Sequence, residues 1–306
     1  MSQILYIVNP RKKNEPLYIT KNTKFMKAKS FFSLVLIAMS FTLMSFSPMD
    51  YEKTDWSKYE LKGKVKELTI NTYSAHRYFG MIEKKDNYRP KTIVVKFSSN
   101  GKILEESDIS DNNYKEKITY VYDRNKTIIN RYVNGDLLQR YIIEYNEFGK
   151  IKTVSRYKSA DSKGDRYEYV YNDKKQLVAI NDQDLWKKEY EYDQSGRVGI
   201  CKFYTSGILD WIARYYYDEK GNVNKKEYLL DGEISSYYIL TYTPEGFLEM
   251  KNDYTSRDLQ LETSTTNLYQ LDTKGNYTKK STSKITYSEG KEEETCSIEE
   301  RTIVYY

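Results

Sequence analysis

Hydrophobic and polar positions alternate with a period of two along most of the chain, and tight turns interrupt the alternation at regular intervals. Tyr141, Ile143 and Tyr145 share one phase, as do Tyr167, Tyr169 and Tyr171, Tyr190 and Tyr192, and Tyr215 and Tyr217. After each turn an aliphatic residue takes up the phase again, at Val65, Ile103, Ile128, Ile151, Leu177, Val198, Val223 and Leu248. Lys, Glu, Thr and Ser fill the positions between. This pattern predicts strands with one aromatic and aliphatic face and one charged face.

The turns repeat. Glu191-Tyr192-Asp193-Gln194-Ser195-Gly196-Arg197-Val198 is the clearest unit: an aromatic and an acid, two polar residues, glycine, then a return to the aliphatic phase. Equivalent turns begin at Phe97, Tyr122, Tyr145, Tyr171, Tyr217, Tyr242 and Leu271, and their fifth positions lie 25, 23, 26, 21, 25, 25 and 29 residues apart. Six of the eight fifth positions are glycine, as a left-handed residue closing a type I turn with a G1 bulge requires. Lys126 and Lys175 depart from this, so those turns either strain φ or take another shape. Weaker turns at Asn134-Gly135, Ser206-Gly207 and Asp231-Gly232 fall between the strong ones, giving two strands per repeat and an antiparallel meander.

The expected fold is all-β: an extended meander of about 17 strands, one repeat per ~25 residues, in a curled or open single sheet. A flat layer ranks second, because it would expose a large aromatic patch. A β-propeller ranks third, because its blades need four strands and this period supplies two. Residues 51–90 read as an N-terminal capping hairpin and loop, 91–306 as the repeat domain, and Arg301 to Tyr306 as the opposite sheet edge.

Composition sharpens this picture. The chain has 306 residues, with 33 tyrosines against 10 phenylalanines and 3 tryptophans, 30% charged residues and a mean hydropathy of -0.79. Such a chain favours solvated sheet over a thick dry core. The net charge of +5 belongs to the leader. Residues 1–47 hold seven Lys or Arg and one acid, leaving 42 basic and 43 acidic residues beyond them, which removes the main support for a nucleic-acid partner. Met26 to Ser30 followed by the apolar run Phe31–Phe46 and Ser47 reads as a secretory signal peptide over 26–47, with 1–25 as an upstream extension or a mis-called start. The mature chain is then exported, to the periplasm, the cell surface or the medium, with no membrane span after cleavage.

Candidate chemistry is sparse. His76 is the single histidine, with no nucleophile or second metal ligand at a telling spacing. Acid pairs such as Glu105-Glu106 point to opposite faces of a strand and read as solubilising charge. Turn aspartates are explained by turn hydrogen bonds, without calcium. Cys201 and Cys296 sit about seven strands apart, roughly 34 Å in an open sheet, and are expected to be free thiols. No catalytic residue, cofactor or metal site is assigned. Tyr167, Tyr169, Trp186, Tyr190, Trp211 and Tyr215 form a possible ligand-stacking surface, or else the apolar face of the sheet.

Tyr192-Asp193-Gln194-Ser195-Gly196-Arg197-Val198 resembles the tyrosine-aspartate (YD) repeat of the Rhs family, and Tyr217 to Val223 and Tyr122 to Ile128 are near matches. The resemblance covers residues 95–285 and implies an exported β-strand spiral or sheet. No toxin domain or self-cleavage region accompanies it, so cargo and processing are not carried over. The leader and the lysine- and tyrosine-rich style resemble small repeat proteins exported by Bacteroidetes. The function expected on these grounds is a non-enzymatic envelope binding or scaffold module with an envelope protein or glycan as partner. A glycan-binding module using the tyrosine-lined face and a hydrolase with an unrecognised site are the alternatives.

Overall fold

The strands close on themselves. The computed structural model describes residues 55–111, 115–158, 164–183, 185–255, 260–288 and 290–306; the proposed extension and signal peptide lie outside them. After a 3-10 helix, Asp55–Tyr59, come β1 Val65–Tyr78, β2 Met81–Lys84, β3 Lys91–Phe97, β4 Ile103–Asp108, β5 Glu116–Asp123 and β6 Lys126–Val133. Next are β7 Asp136–Tyr145, β8 Ile151–Tyr157, β9 Asp165–Tyr171, β10 Leu177–Asp182, β11 Trp186–Tyr192, β12 Val198–Thr205 and β13 Ile208–Tyr217. The last six are β14 Val223–Leu230, β15 Glu233–Tyr242, β16 Leu248–Thr255, β17 Leu261–Leu271, β18 Tyr277–Ser288 and β19 Lys291–Tyr305.

Each strand from β3 to β19 pairs antiparallel with the next, and β1 pairs with β3 on one side (Leu68 opposite Val95) and β19 on the other (Leu68 opposite Ile303). The result is an 18-stranded antiparallel barrel, with β2 a short hairpin partner on the projecting end of β1. This overturns the expected open or curled single sheet. It also overturns the expected edges, since the C-terminal strand and the supposed N-terminal cap are hydrogen-bonded neighbours. Closure removes both exposed ladders and hides the aromatic face, two liabilities of the open sheet. The YD/Rhs resemblance is corrected with it, because a ring sealed by its first and last strands is not the open repeat spiral that the resemblance implies.

The period-2 phase survives the whole circuit. From Leu68 and Val95 the pairs run through Tyr141 opposite Arg156, Tyr169 opposite Ile180, Tyr190 opposite Cys201, Cys201 opposite Ala213, and Lys280 opposite Glu299. These residues share the inner face. The outer face carries Lys96, Glu105 and Lys117 in one ion-paired group, Lys187 with Glu189, Lys202 with Glu191, Lys225 with Glu227, and Arg77 with Glu294. A lipid-facing barrel needs an outward apolar band ~25 Å tall, where each Lys or Arg would cost about 2–4 kcal/mol at the midplane. The outer face carries these ion pairs together with exposed apolar side chains, among them Val121, Val170, Leu268 and Val304.

The two ends differ. The repeat turns all lie on one rim, here called the lower rim, and take the expected form: Gly221 N–H donates to Asp218 O (3.0 Å) and Asp218 N–H to Asn222 O (2.9 Å), with Gly221 at φ +85°. Of the two departures, Lys175 accepts the left-handed conformation at φ +61°. Lys126 avoids it through a shorter turn in which Asp123 pairs directly with Lys126. That turn has no bulge, so the phase slips by one: Thr127 faces inward, opposite Ile143, and Ile128 faces outward, opposite Ile142. At the other end, the mouth, two-residue turns such as Asn134-Gly135 and Ser206-Gly207 have both residues at positive φ, as type I′ hairpins require.

Residues 55–62 cross the lower rim on the inner face. Asp55 Oδ2 accepts from the Ile103 amide (2.8 Å) and the Tyr122 hydroxyl (3.0 Å), Trp56 Nε1 donates to Val65 O (2.8 Å), and Lys62 N–H donates to Asn276 Oδ1 (2.5 Å). Trp56, Tyr59 and Leu61 pack there with Leu68, Ile70, Val95, Phe97 and Ile103, the driest core of the molecule. On the same side of the mouth Thr72, Ser74 and His76, also inner-face residues, are exposed. The segment thus covers the lower rim on the side of β1, β3, β4 and β19, and the mouth above it is accessible.

Candidate functional site

Eighteen strands at ~4.8 Å spacing make a ring roughly 86 Å around and on the order of 27 Å across before tilt, too wide for side chains alone to fill. What lines the accessible end is therefore available to a ligand. Six rings follow one another along the inner face near the mouth. Tyr167 lies 5.5 Å from Trp186, Trp186 5.9 Å from Phe203, Phe203 5.1 Å from Trp211, Trp211 5.8 Å from Tyr228, and Tyr228 6.4 Å from Tyr238. All six rings are half-buried. The shelf spans β9 to β15 because one register brings inward positions of consecutive strands to one height, as with Phe203 opposite Trp211.

All six residues expected to form a stacking surface face inward. Tyr167, Trp186 and Trp211 belong to the shelf, while Tyr169, Tyr190 and Tyr215 form a second row nearer the lower rim, with Tyr190 buried. Phe203, Tyr228 and Tyr238 complete the shelf and were missing from the sequence-based set. Their signal was present, since each occupies the inward phase of its strand, but no aromatic repeat marks them.

Between the two rows lie the small, buried side chains of Cys201 and Ala213, 3% and 0% exposed. Two lysines flank them. Lys188 Nζ sits 5.6 Å from the Trp186 ring and 5.9 Å from the Phe203 ring. Lys226 Nζ sits 4.8 Å from the Tyr215 ring and 4.6 Å from the Tyr228 ring. Burial lowers the Lys188 pKa, and burial with the charges of Lys188 and Lys251 pushes Lys226 down to about 8. Burial pushes the Cys201 thiol up to about 11 and the Tyr167 and Tyr228 hydroxyls up to about 12. At the mouth edge, burial and the nearby Asp165 raise the Asp182 carboxyl.

His76 stands exposed on the projecting β1–β2 hairpin, opposite Glu83 and edge-on to Tyr78 at 6.4 Å. The loop expected around it is instead this hairpin, turning at Phe79-Gly80. No cluster of three potential metal ligands occurs among the described residues. Both cysteines are free, with Cys201 on the inner face and Cys296 on the outer, so closure of the sheet does not bring them together.

Neither a family model nor a curated protein matches the sequence. Among solved structures, a porin-like protein from Bacteroides uniformis ATCC 8492 is similar at a TM-score of 0.45 and 9% identity, over 80% of this chain and 99% of that one. A porin-like protein from Bacteroides vulgatus ATCC 8482 is similar at 0.36 and 10% identity, over 80% and 99%. The TcdB2-TccC3-Cdc42 structure is similar at 0.30 and 12% identity, over 76% of this chain and 17% of that one. Likeness at these values decides neither the ligand nor the solvent of the outer face.

Proposed function

We propose that this chain is a non-enzymatic binding barrel of the cell envelope that captures a glycan at its mouth, without a cofactor. The carrying observation is the six-ring shelf from Tyr167 to Tyr238, half-buried on the inner face at the unplugged end. Flat aromatic faces with polar tips suit sugar rings, which present both C–H faces and hydroxyls. The leader supports export, and the charged outer face supports a barrel surrounded by water. A second reading, a protein partner seated on the mouth, is favoured by exposed apolar side chains on the mouth-side turns, including Phe79, Leu185, Ile208 and Leu230.

A glycan array probed with the mature protein tests the first reading. Selective binding that Trp211→Ala abolishes supports it. Absence of any glycan signal, together with recovery of one envelope protein in a pull-down, overturns it in favour of the second.

A further inference from the structure

We infer that the mouth selects an acidic sugar, whose anionic group seats between Lys188 and Lys226 while its ring stacks on the aromatic shelf. This rests on the glycan reading and specifies its ligand.

The two lysines are the unbalanced feature of the interior. Other partly buried inner-face cations have acidic partners: Arg131 pairs with Glu116 at 2.6 Å, Lys251 with Asp253 at 2.6 Å, Arg301 with Glu299 at 2.9 Å and Lys58 with Glu106 at 2.8 Å, while Lys284, which has none, stands exposed to water. Among the described residues no carboxylate pairs with Lys188 or Lys226; aromatic rings are the contacts they make. Cation–π contacts are worth roughly 0.5–2 kcal/mol and leave the charge in place. Two such cations on one face repel each other, and the barrel holds them together across the small side chains of Cys201 and Ala213. An incoming anion removes that repulsion and gains charge-assisted hydrogen bonds in a low-dielectric setting. Lys188 lies directly opposite the shelf ring Phe203 and Lys226 directly opposite the shelf ring Tyr238, so a ring stacked on the shelf places its substituent at the ammonium groups.

The charged and titratable groups around Lys226 are Tyr215, Tyr228, Tyr238, Lys188, Lys251, Asp253 and Cys201. Of these, Asp253 is the acid, and Lys251 already holds it. Binding an anion therefore draws a proton onto Lys226 near pH 8.

The test compares acidic and neutral oligosaccharides on one array and then by calorimetry, using oligogalacturonate and its methyl ester as the matched probe pair. The expected result is a bound set dominated by acidic glycans, at least tenfold weaker binding for Lys188→Met and Lys226→Met, and proton uptake on binding at pH 8.5. Circular dichroism melting of both variants separates lost binding from lost folding. Neutral glycans bound as tightly as acidic ones, with both methionine variants unaffected, overturn this inference and leave the glycan reading standing. No glycan bound at all overturns both.

Discussion

The hydroxyl of Tyr217 donates to the carbonyl oxygen of Val198 at 2.8 Å, joining one repeat turn to the strand that begins after the previous one. The same bond recurs from Tyr171 to Ile151, Tyr192 to Leu177 and Tyr242 to Val223, at 2.8–2.9 Å, and from Tyr122 to Ile103, where Asp55 shares the one hydroxyl hydrogen. Where Leu271 replaces the turn tyrosine, Tyr269 makes the bond to Leu248 instead (2.8 Å). The repeat tyrosine is a rivet between neighbouring hairpins, and the rivets form a belt around much of the lower rim.

Tyr217→Phe removes the rivet and keeps the ring. It is expected to destabilise the barrel by about 1 kcal/mol, the net worth of one neutral hydrogen bond. Chemical denaturation of the single variant and of the triple Tyr192/Tyr217/Tyr242→Phe variant checks this, with a graded loss expected.

Backbone conformation makes opposite demands at two equivalent turn positions. Gly221 sits at φ +85°, and an added Cβ would meet nothing within 4 Å, so Gly221→Ala isolates the backbone cost. A loss of about 1 kcal/mol is expected. Lys175 at φ +61° already bears that cost, and its ammonium lies 4.1 Å from the Phe148 ring. Lys175→Gly relieves φ but loses the ring contact, so its melting temperature is expected to move far less than that of the Gly221 variant.

Asp55 holds the plug segment to the rim through Ile103 and Tyr122. Asp55→Ala leaves the Ile103 amide without this partner and is expected to cost about 1–3 kcal/mol. It also loosens Trp56. Stronger acrylamide quenching of tryptophan fluorescence than in the parent protein is the expected sign.

Stability near neutral pH carries the mark of Lys226. Its folded pKa of about 8 lies below the ordinary lysine value, so above pH 8 the unfolded chain binds a proton that the folded chain has released. Stability from this group therefore rises with pH between about 8 and about 10.4. Tyrosines such as Tyr167, raised by burial to about 12, act oppositely above pH 10, where the unfolded chain ionises first. The difference in melting temperature between parent and Lys226→Met, followed from pH 7 to 10, is expected to shift in favour of the parent.

Local chemistry determined a great deal here. The period of two placed the repeat tyrosines on one face and the Gly-Asp turns set the bulges that keep that phase, while the two turns without glycine diverge, Lys175 keeping the bulge and Lys126 losing it. These effects act over a few residues, so a linear reading can reach them. Closure was out of its reach. The pairing of Leu68 with Ile303 joins residues more than 200 positions apart, and no local pattern distinguishes a strand that ends a sheet from one that seals a ring. Which face lies inside, where each tyrosine hydroxyl finds its carbonyl, and how Phe203, Lys188 and Lys226 come to stand beside Trp186 and Trp211 all follow from that closure. The physical reason is that burial and unpaired charge belong to the enclosed space, which exists only once the first and last strands have met.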